Sequence, residues 1–244
     1  MTDLFSQVTV FVTTIGDEEN FRDCLGRLDL QTASFRLEII RNAAPLSAAL
    51  QQMIDRCVTP YYVQVDEDML LFPDAIERLY HSISCAPDDI AIVCGGLWDC
   101  DVGHPIYGVK IFRHALVKHF PYQNTFSCAK TQLQRMRESG FDVGLLPRED
   151  RAACFGEHGK HYTPRTLFGR WRRLFHNQRR YGTLAWVEPW PARLLERYLE
   201  TRESLHLYAL LGAVAGITGD LPPDQGVDFH DPGIDFERLA QYFE

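Results

Sequence analysis

The sequence predicts an α/β protein with a mostly parallel sheet, helices on both faces, and a helical C-terminal extension. Three observations carry this. Short runs of β-branched and aromatic residues alternate with stretches whose apolar residues recur every three or four positions, as in βαβ units. One such run, Tyr61-Tyr62-Val63-Gln64-Val65, ends in the acids Asp66-Glu67-Asp68, and ligands of open α/β sheets gather at the carboxyl ends of strands. Residues 193–217 keep helical spacing with no strand pattern.

In order, Val8-Thr9-Val10-Phe11-Val12-Thr13-Thr14 reads as the first strand by composition. Ile15-Gly16-Asp17-Glu18 turns the chain into a helix over 19–28, with Phe21, Leu25 and Leu28 on one face. Residues 35–40 form the next strand, which ends at Arg41-Asn42. A helix over 45–57 follows, with Leu46, Leu50 and Ile54 inward. The acidic strand comes third, then a helix over 73–84 and a strand over 90–94. After Gly95-Gly96 the pattern is mixed: a strand over 108–112, a short helix over 113–119, a polar helix over 130–139 and a last strand over 140–146. Residues 151–180 are rich in Gly, His and Arg and receive no element. Trp186-Val187-Glu188-Pro189-Trp190-Pro191 breaks the chain before one or two helices in 193–217. An irregular tail with Pro222-Pro223 then leads to a short helix at 236–243. The expected division is a catalytic domain over 1–185 and a helical extension over 186–244.

The bulk properties narrow the function classes. The 244 residues are 45% hydrophobic and 24% charged, which suits a chain that buries a core. A net charge of −8 argues against nucleic acid as a partner. The seven cysteines are scattered and form no CxxC pair, which argues against a zinc ribbon or a disulfide framework and fits a reducing cytoplasm. The N-terminus has no basic region ahead of an apolar one, so no secretory signal is expected. The apolar segment 205–217 is too short to span a bilayer. It reads as a packing helix first, and as a peripheral membrane contact second.

The chemistry centres on Asp66 and Asp68. Two carboxylates delivered together repel each other unless a cation sits between them. Mg²⁺ and similar ions take one or two carboxylates plus substrate phosphates. The plainer reading is that these acids cap the next helix. In the late loop Gly156-Glu157-His158-Gly159-Lys160-His161, an imidazole flanked by glycine would complete a mixed oxygen and nitrogen set suited to Mn²⁺ or Mg²⁺. His158 is the favoured ligand and His161 the other choice. Thr13, Thr14, Asp17 and Asn42 lie at strand ends where a base and ribose are held, or act as ordinary turn residues. Arg165, Arg170, Arg172, Arg173, Arg179 and Arg180 would clamp phosphate oxygens or an anionic acceptor, or form a solvated helix face.

Together the first strand, Leu37-Glu38-Ile39-Ile40-Arg41-Asn42, the Asp-x-Asp strand with Pro73 after it, and the late His158 resemble the family-2 glycosyltransferases of GT-A type. The match covers about the first 120 residues and implies a GT-A-like, Rossmann-type fold. It also implies a nucleotide-diphosphate sugar donor and a divalent metal. By resemblance, Asp66 and Asp68 serve ribose, metal and diphosphate, His158 serves the metal, and Thr13, Asp17 and Asn42 lie near the nucleoside; Arg165 is added on the donor side. The acceptor expected is a glycan or lipid-linked saccharide. The chain departs from the family in one respect. Many inverting members carry a Glu-Asp pair before the last strand, where Cys128-Ala129 stand here. Asp101 and Asp99 are expected to supply the general base instead, with Glu149 and Asp150 as a further pair. The rival readings are a non-catalytic nucleotide-sugar-binding protein and a nucleotidyltransferase. The acidic Ile15-Gly16-Asp17 turn counts against the latter, which would carry a Gly-rich basic loop there.

Overall fold

The computed structural model describes residues 2–16, 18–125, 127–180, 182, 185 and 187–219. The chain packs as two units. The first takes the residues up to Cys100 together with His104–Lys160. The second takes Asp101–Gly103 and the described chain from His161 onward.

The first unit begins with β1 (Thr2–Asp3), β2 (Val8–Thr14), α1 (Glu18–Asp29), β3 (Ala33–Ser34), β4 (Arg36–Arg41) and α2 (Leu46–Arg56). It continues with β5 (Tyr61–Asp66), β6 (Met69–Leu71), α3 (Ala75–Ser84), β7 (Ile90–Asp99), β8 (His104–Arg113), α4 (His114–Val117), α5 (Cys128–Glu138), β9 (Asp142–Leu145) and β10 (Gly156–His158). Among the described residues the main sheet has eight strands in the order β4-β2-β5-β8-β7-β10-β6, with β9 on β7. Pairing is parallel where helices cross over, at β2 with β4 and β5, and at β7 with β9 and β10. It is antiparallel where β8 lies between β5 and β7, and where β6 meets β10.

Strand alternation divides the core in two. Val8, Val10 and Val12 of β2 and Val63 and Val65 of β5 face α1 and α3, packing on Phe21, Leu28, Ile76 and Leu79. Phe11 and Tyr62 face the opposite way, onto Leu50, Met53 and Ile54 of α2 and Met136 of α5. Each of these side chains, buried, stabilises the fold by about 1.5–3 kcal/mol relative to exposure. Helices therefore cover both faces, and the carboxyl ends of β2 and β5 emerge side by side, with Thr13 level with Asp66.

The structure extends the sequence reading in three places. The strand expected over 90–94 runs on to Asp99, because Gly95 and Gly96 are strand residues and not breakers. A Cβ on Gly95 would meet the Phe155 ring at 2.7 Å, and one on Gly96 would meet Arg148 Cβ at 2.6 Å. The strand over 140–146 is not the last, since β10 follows it. Residues 151–180 hold that strand and a 17-residue helix, α6 (Pro164–Arg180).

In the second unit α6 packs on α8 (Ser204–Thr218), preceded by α7 (Trp190–Thr201). Its core is Val102, Leu167, Trp171, Phe175, Leu194, Ala209 and Ala213. The α6 and α8 backbones nearly touch: a Cβ on Gly212 would meet Phe168 O at 2.3 Å, and one on Gly216 would meet Arg172 O at 2.2 Å. The expected boundary at 185–186 falls inside this unit, between two helices that both belong to it. The segment 205–217 is α8, a packing helix, and among the described residues no helix is long and apolar enough to cross a membrane. The expected tail and its helix at 236–243 lie outside the described residues.

Candidate functional site

The site is assembled where the β2, β5, β7 and β10 ends converge in the first unit. The turn after β5 is tied to the turn after β2. Thr13 Oγ1 donates to Asp66 Oδ1 at 2.7 Å, and Gln64 Nε2 reaches the same oxygen at 3.4 Å. Glu67 N donates to Thr13 O at 3.0 Å. The Glu67 carboxylate accepts from the Thr14 hydroxyl and, at 3.2 Å, from Ile15 N. Glu67 is 9% exposed, so the middle acid of Asp-x-Asp is a brace for the β2 loop. The sequence reading passed over it; its signal was an acid flanked by two others, which cannot all face one ligand from a single extended strand.

Gly16 is at φ 102°, and its N–H meets Thr14 Oγ1 at 3.1 Å. Asn42 follows β4 at φ 50°, a left-handed conformation that Asn tolerates, and its N–H donates to Thr14 O at 2.9 Å. Thr13, Thr14, Asn42 and Asp66 thus share one rim. Asp17 lies outside the described residues.

The second arm brings Asp68, Asp99 and His158 together. β10 runs parallel to β7, placing His158 beside Asp99, and antiparallel to β6, placing it beside Met69. His158 Nδ1 lies 3.1 Å from Asp99 Oδ2, and His158 Nε2 lies 3.5 Å from Asp68 Oδ2. The three side chains are 13% (His158), 2% (Asp99) and 22% (Asp68) exposed. Backbone bonds hold both strands: Gly159 N to Asp68 O at 3.1 Å, and Cys100 N to His158 O at 3.0 Å. Gly156 makes the close approach feasible, since a Cβ there would meet Leu70 O at 2.5 Å.

Beneath the acidic turn lies Cys24 of α1. Burial, and then the charges of Asp68, Asp66 and Glu67, push its thiol from 9.0 to about 12.

The expected general bases are differently placed. Asp99 is 1% exposed and engaged with His158. Asp101 belongs to the second unit, is 6% exposed, and accepts an ion pair from Arg170. Glu149 and Asp150 are exposed. Of the arginine cluster, Arg172 is buried and Arg179 donates to the Ile217 and Gly219 carbonyls at the end of α8. Arg165 is exposed on the second unit.

Among the described residues no three His, Cys, Asp or Glu side chains form a closed metal cage. The chemistry of Asp68 and His158 nevertheless fits a divalent cation. It provides one carboxylate oxygen from the β5–β6 turn and one imidazole nitrogen from the end of β10, the partial set that phosphate oxygens and water complete for Mg²⁺ or Mn²⁺.

No protein-family model matches the chain, and no curated protein matches it. Solved structures do. The mannosyltransferase PcManGT from Pyrobaculum calidifontis, in complex with GDP-Man and Mn²⁺, superposes with a TM-score of 0.52 at 13% identity, covering 89% of this chain and 77% of that one. S. aureus TarS (1–349) follows at 0.49 and 12%, covering 87% and 81%. Glucosyl-3-phosphoglycerate synthase from Mycobacterium tuberculosis, with Mn²⁺, UDP and phosphoglyceric acid, gives 0.47 and 10%, covering 64% and 72%. The strand order, the two helical faces and the first of these likenesses agree: this chain has the GT-A-type α/β fold.

Proposed function

We propose that the protein is a glycosyltransferase that moves a sugar from a nucleotide-diphosphate donor to an acceptor hydroxyl, assisted by Mn²⁺ or Mg²⁺. One observation carries this reading: Asp68 and His158, 90 residues apart in sequence, meet at 3.5 Å beside the strand ends that hold Thr13 and Asp66. The PcManGT complex, with GDP-Man and Mn²⁺ together, supports the pairing of donor and ion.

In this reading Asp66 and Thr13 bind the ribose, and Thr14, Asn42 and Asp17 line the nucleoside side. Asp68 and His158 hold the cation, which when bound neutralises charge on the departing diphosphate. Arg165 is assigned to the donor's phosphates, and a glycan or lipid-linked saccharide is the acceptor. For Asp101 to act as general base its ion pair with Arg170 must open, because a guanidinium contact disfavours protonation of a carboxylate. Its pairing favours a structural role.

The test is a thermal-shift panel of UDP-, GDP-, CMP- and TDP-sugars with and without Mn²⁺. Metal-dependent stabilisation by one diphosphate donor supports the reading, and turnover of that donor separates an enzyme from a binding protein. Asp68→Ala should abolish metal-dependent donor hydrolysis or transfer; a variant with full activity rejects the site.

A further inference from the structure

Asp99 has no task in the transfer reaction as proposed, yet it is among the most deeply buried acids of the first unit. It ends β7 at 1% exposure and stands in register with His158 on the neighbouring parallel strand. Its Oδ2 is 3.1 Å from His158 Nδ1, while the opposite ring nitrogen is 3.5 Å from Asp68 Oδ2. The imidazole is therefore held between two acceptors, and its partners decide which nitrogen carries the proton. The shorter contact and the deeper burial are both at Asp99. Of the two contacts, only the 3.1 Å one to Asp99 lies at ordinary N–H···O hydrogen-bond distance, and burial strengthens a bond to a carboxylate. The proton accordingly belongs on Nδ1, which leaves the Nε2 lone pair facing Asp68. Two electron-rich atoms at that spacing repel each other unless a cation lies between them.

We propose that Asp99 is a positioning residue: by accepting the Nδ1 proton of His158 it fixes the ring's tautomer and orientation, so that Nε2 and the Asp68 carboxylate form a ready pair of ligands. This rests on the metal-assisted reading above and adds the group that aims the imidazole. A carboxylate behind a metal-binding histidine raises its basicity, and its loss costs 10–100-fold in metal affinity in known centres. The strand register supplies the same service here. Asp99 and His158 are fixed by neighbouring backbones, with Cys100 N on His158 O at 3.0 Å.

The test titrates Mn²⁺ alone into the full chain and follows loss of the free-ion EPR signal. Asp99→Asn keeps the side chain's size and removes its charge. Its expected outcome is Mn²⁺ binding weakened by about 10–100-fold with an unchanged far-UV CD spectrum. Wild-type Mn²⁺ affinity in a folded Asp99→Asn protein overturns the positioning role. Wild-type affinity in Asp68→Ala and His158→Ala instead overturns the metal-assisted reading itself, so the two failures are distinguishable. A second measurement reads the wild-type protein itself. In the ¹⁵N spectrum of the metal-free wild type, with the His158 signals identified by their absence in His158→Gln, Nδ1 should be protonated and Nε2 bare. A bare Nδ1 overturns the proposal.

Discussion

β2, β4 and β5 on one side of the sheet, and β6, β7 and β10 on the other, each bring acids to the same site by different means. In the first group, apolar side chains alternate cleanly between two helical layers, and parallel pairing runs unbroken from Thr9 to Thr14. Asp66 and Thr13 are placed by register alone. In the second group β6 and β10 have only three residues each, β7 carries a bulge between Cys94 and Gly96, and close packing depends on missing side chains at Gly95 and Gly96, against Phe155 and Arg148, and at Gly156, against the β6 backbone. Polar groups there are held by one another: Asp99 by His158, Glu157 by Arg151. The lesson is that hydrophobic pattern fixes the donor rim, while close packing and buried polar contacts fix the cation corner. Damage should therefore be graded differently in the two regions.

The largest effect is expected in the corner. Asp68→Ala or His158→Ala should weaken Mn²⁺ binding about 100-fold or more, exceeding the loss from an outer residue, whereas Thr13→Val at the rim should cost about 1 kcal/mol, or roughly fivefold, in donor affinity. Equal losses measured by calorimetry would erase the distinction. Next is the alkaline limb of stability, set at Cys24 where the two regions join. Its thiol is raised from 9.0 to about 12, first by burial and then by Asp68, Asp66 and Glu67. The folded state thus keeps a proton that the unfolded state releases. The stabilisation is full below pH 9 and is lost as pH climbs toward 12, by about 1.4 kcal/mol per unit. Cys24→Ala should flatten that slope in urea denaturation between pH 9 and 11; an unaltered slope would refute the assignment. Third, Gly156→Ala should destabilise by about 1–3 kcal/mol through overpacking on Leu70 and Leu71, read from the midpoint in guanidinium. No shift would mean that β10 can retreat from β6. The smallest effect belongs to the regular half. Thr9→Val removes a buried 2.7 Å hydroxyl contact with Thr59, which still donates to Tyr61 O at 2.8 Å. The cost should stay below about 1 kcal/mol in the same assay.

The same division explains what was legible in advance. β2, α1, β4, α2, β5 and α3 follow period-2 and period-3.6 patterns that local physics makes visible, and Asp66 and Asp68 announce themselves at a strand end. β10 is three residues long, and nothing in Gly156-Glu157-His158 records that it fits between β6 and β7. The Gly95-Gly96 pair looks like a turn from sequence and is a packing contact in fact, because the Phe155 ring that fills its space is 60 residues away. α6 was masked by its arginines, although Leu167, Phe168, Trp171 and Phe175 keep helical spacing along its buried face. The bracing role of Glu67 and the partnership of Asp99 with His158 are hidden from the sequence for one reason: Thr14 and His158 lie far along the chain from them.

The contact of α6 with α8 has a mechanical consequence. Where carbonyls and glycine Cα atoms meet directly, no rotamer remains to absorb a displacement, so the two helices must bend together or not at all. α6 has 17 residues, about 25 Å at 1.5 Å per residue. Braced in this way it behaves as a splinted beam, and it fixes the intervals between the Cα atoms of its arginines as the marks on a ruler are fixed.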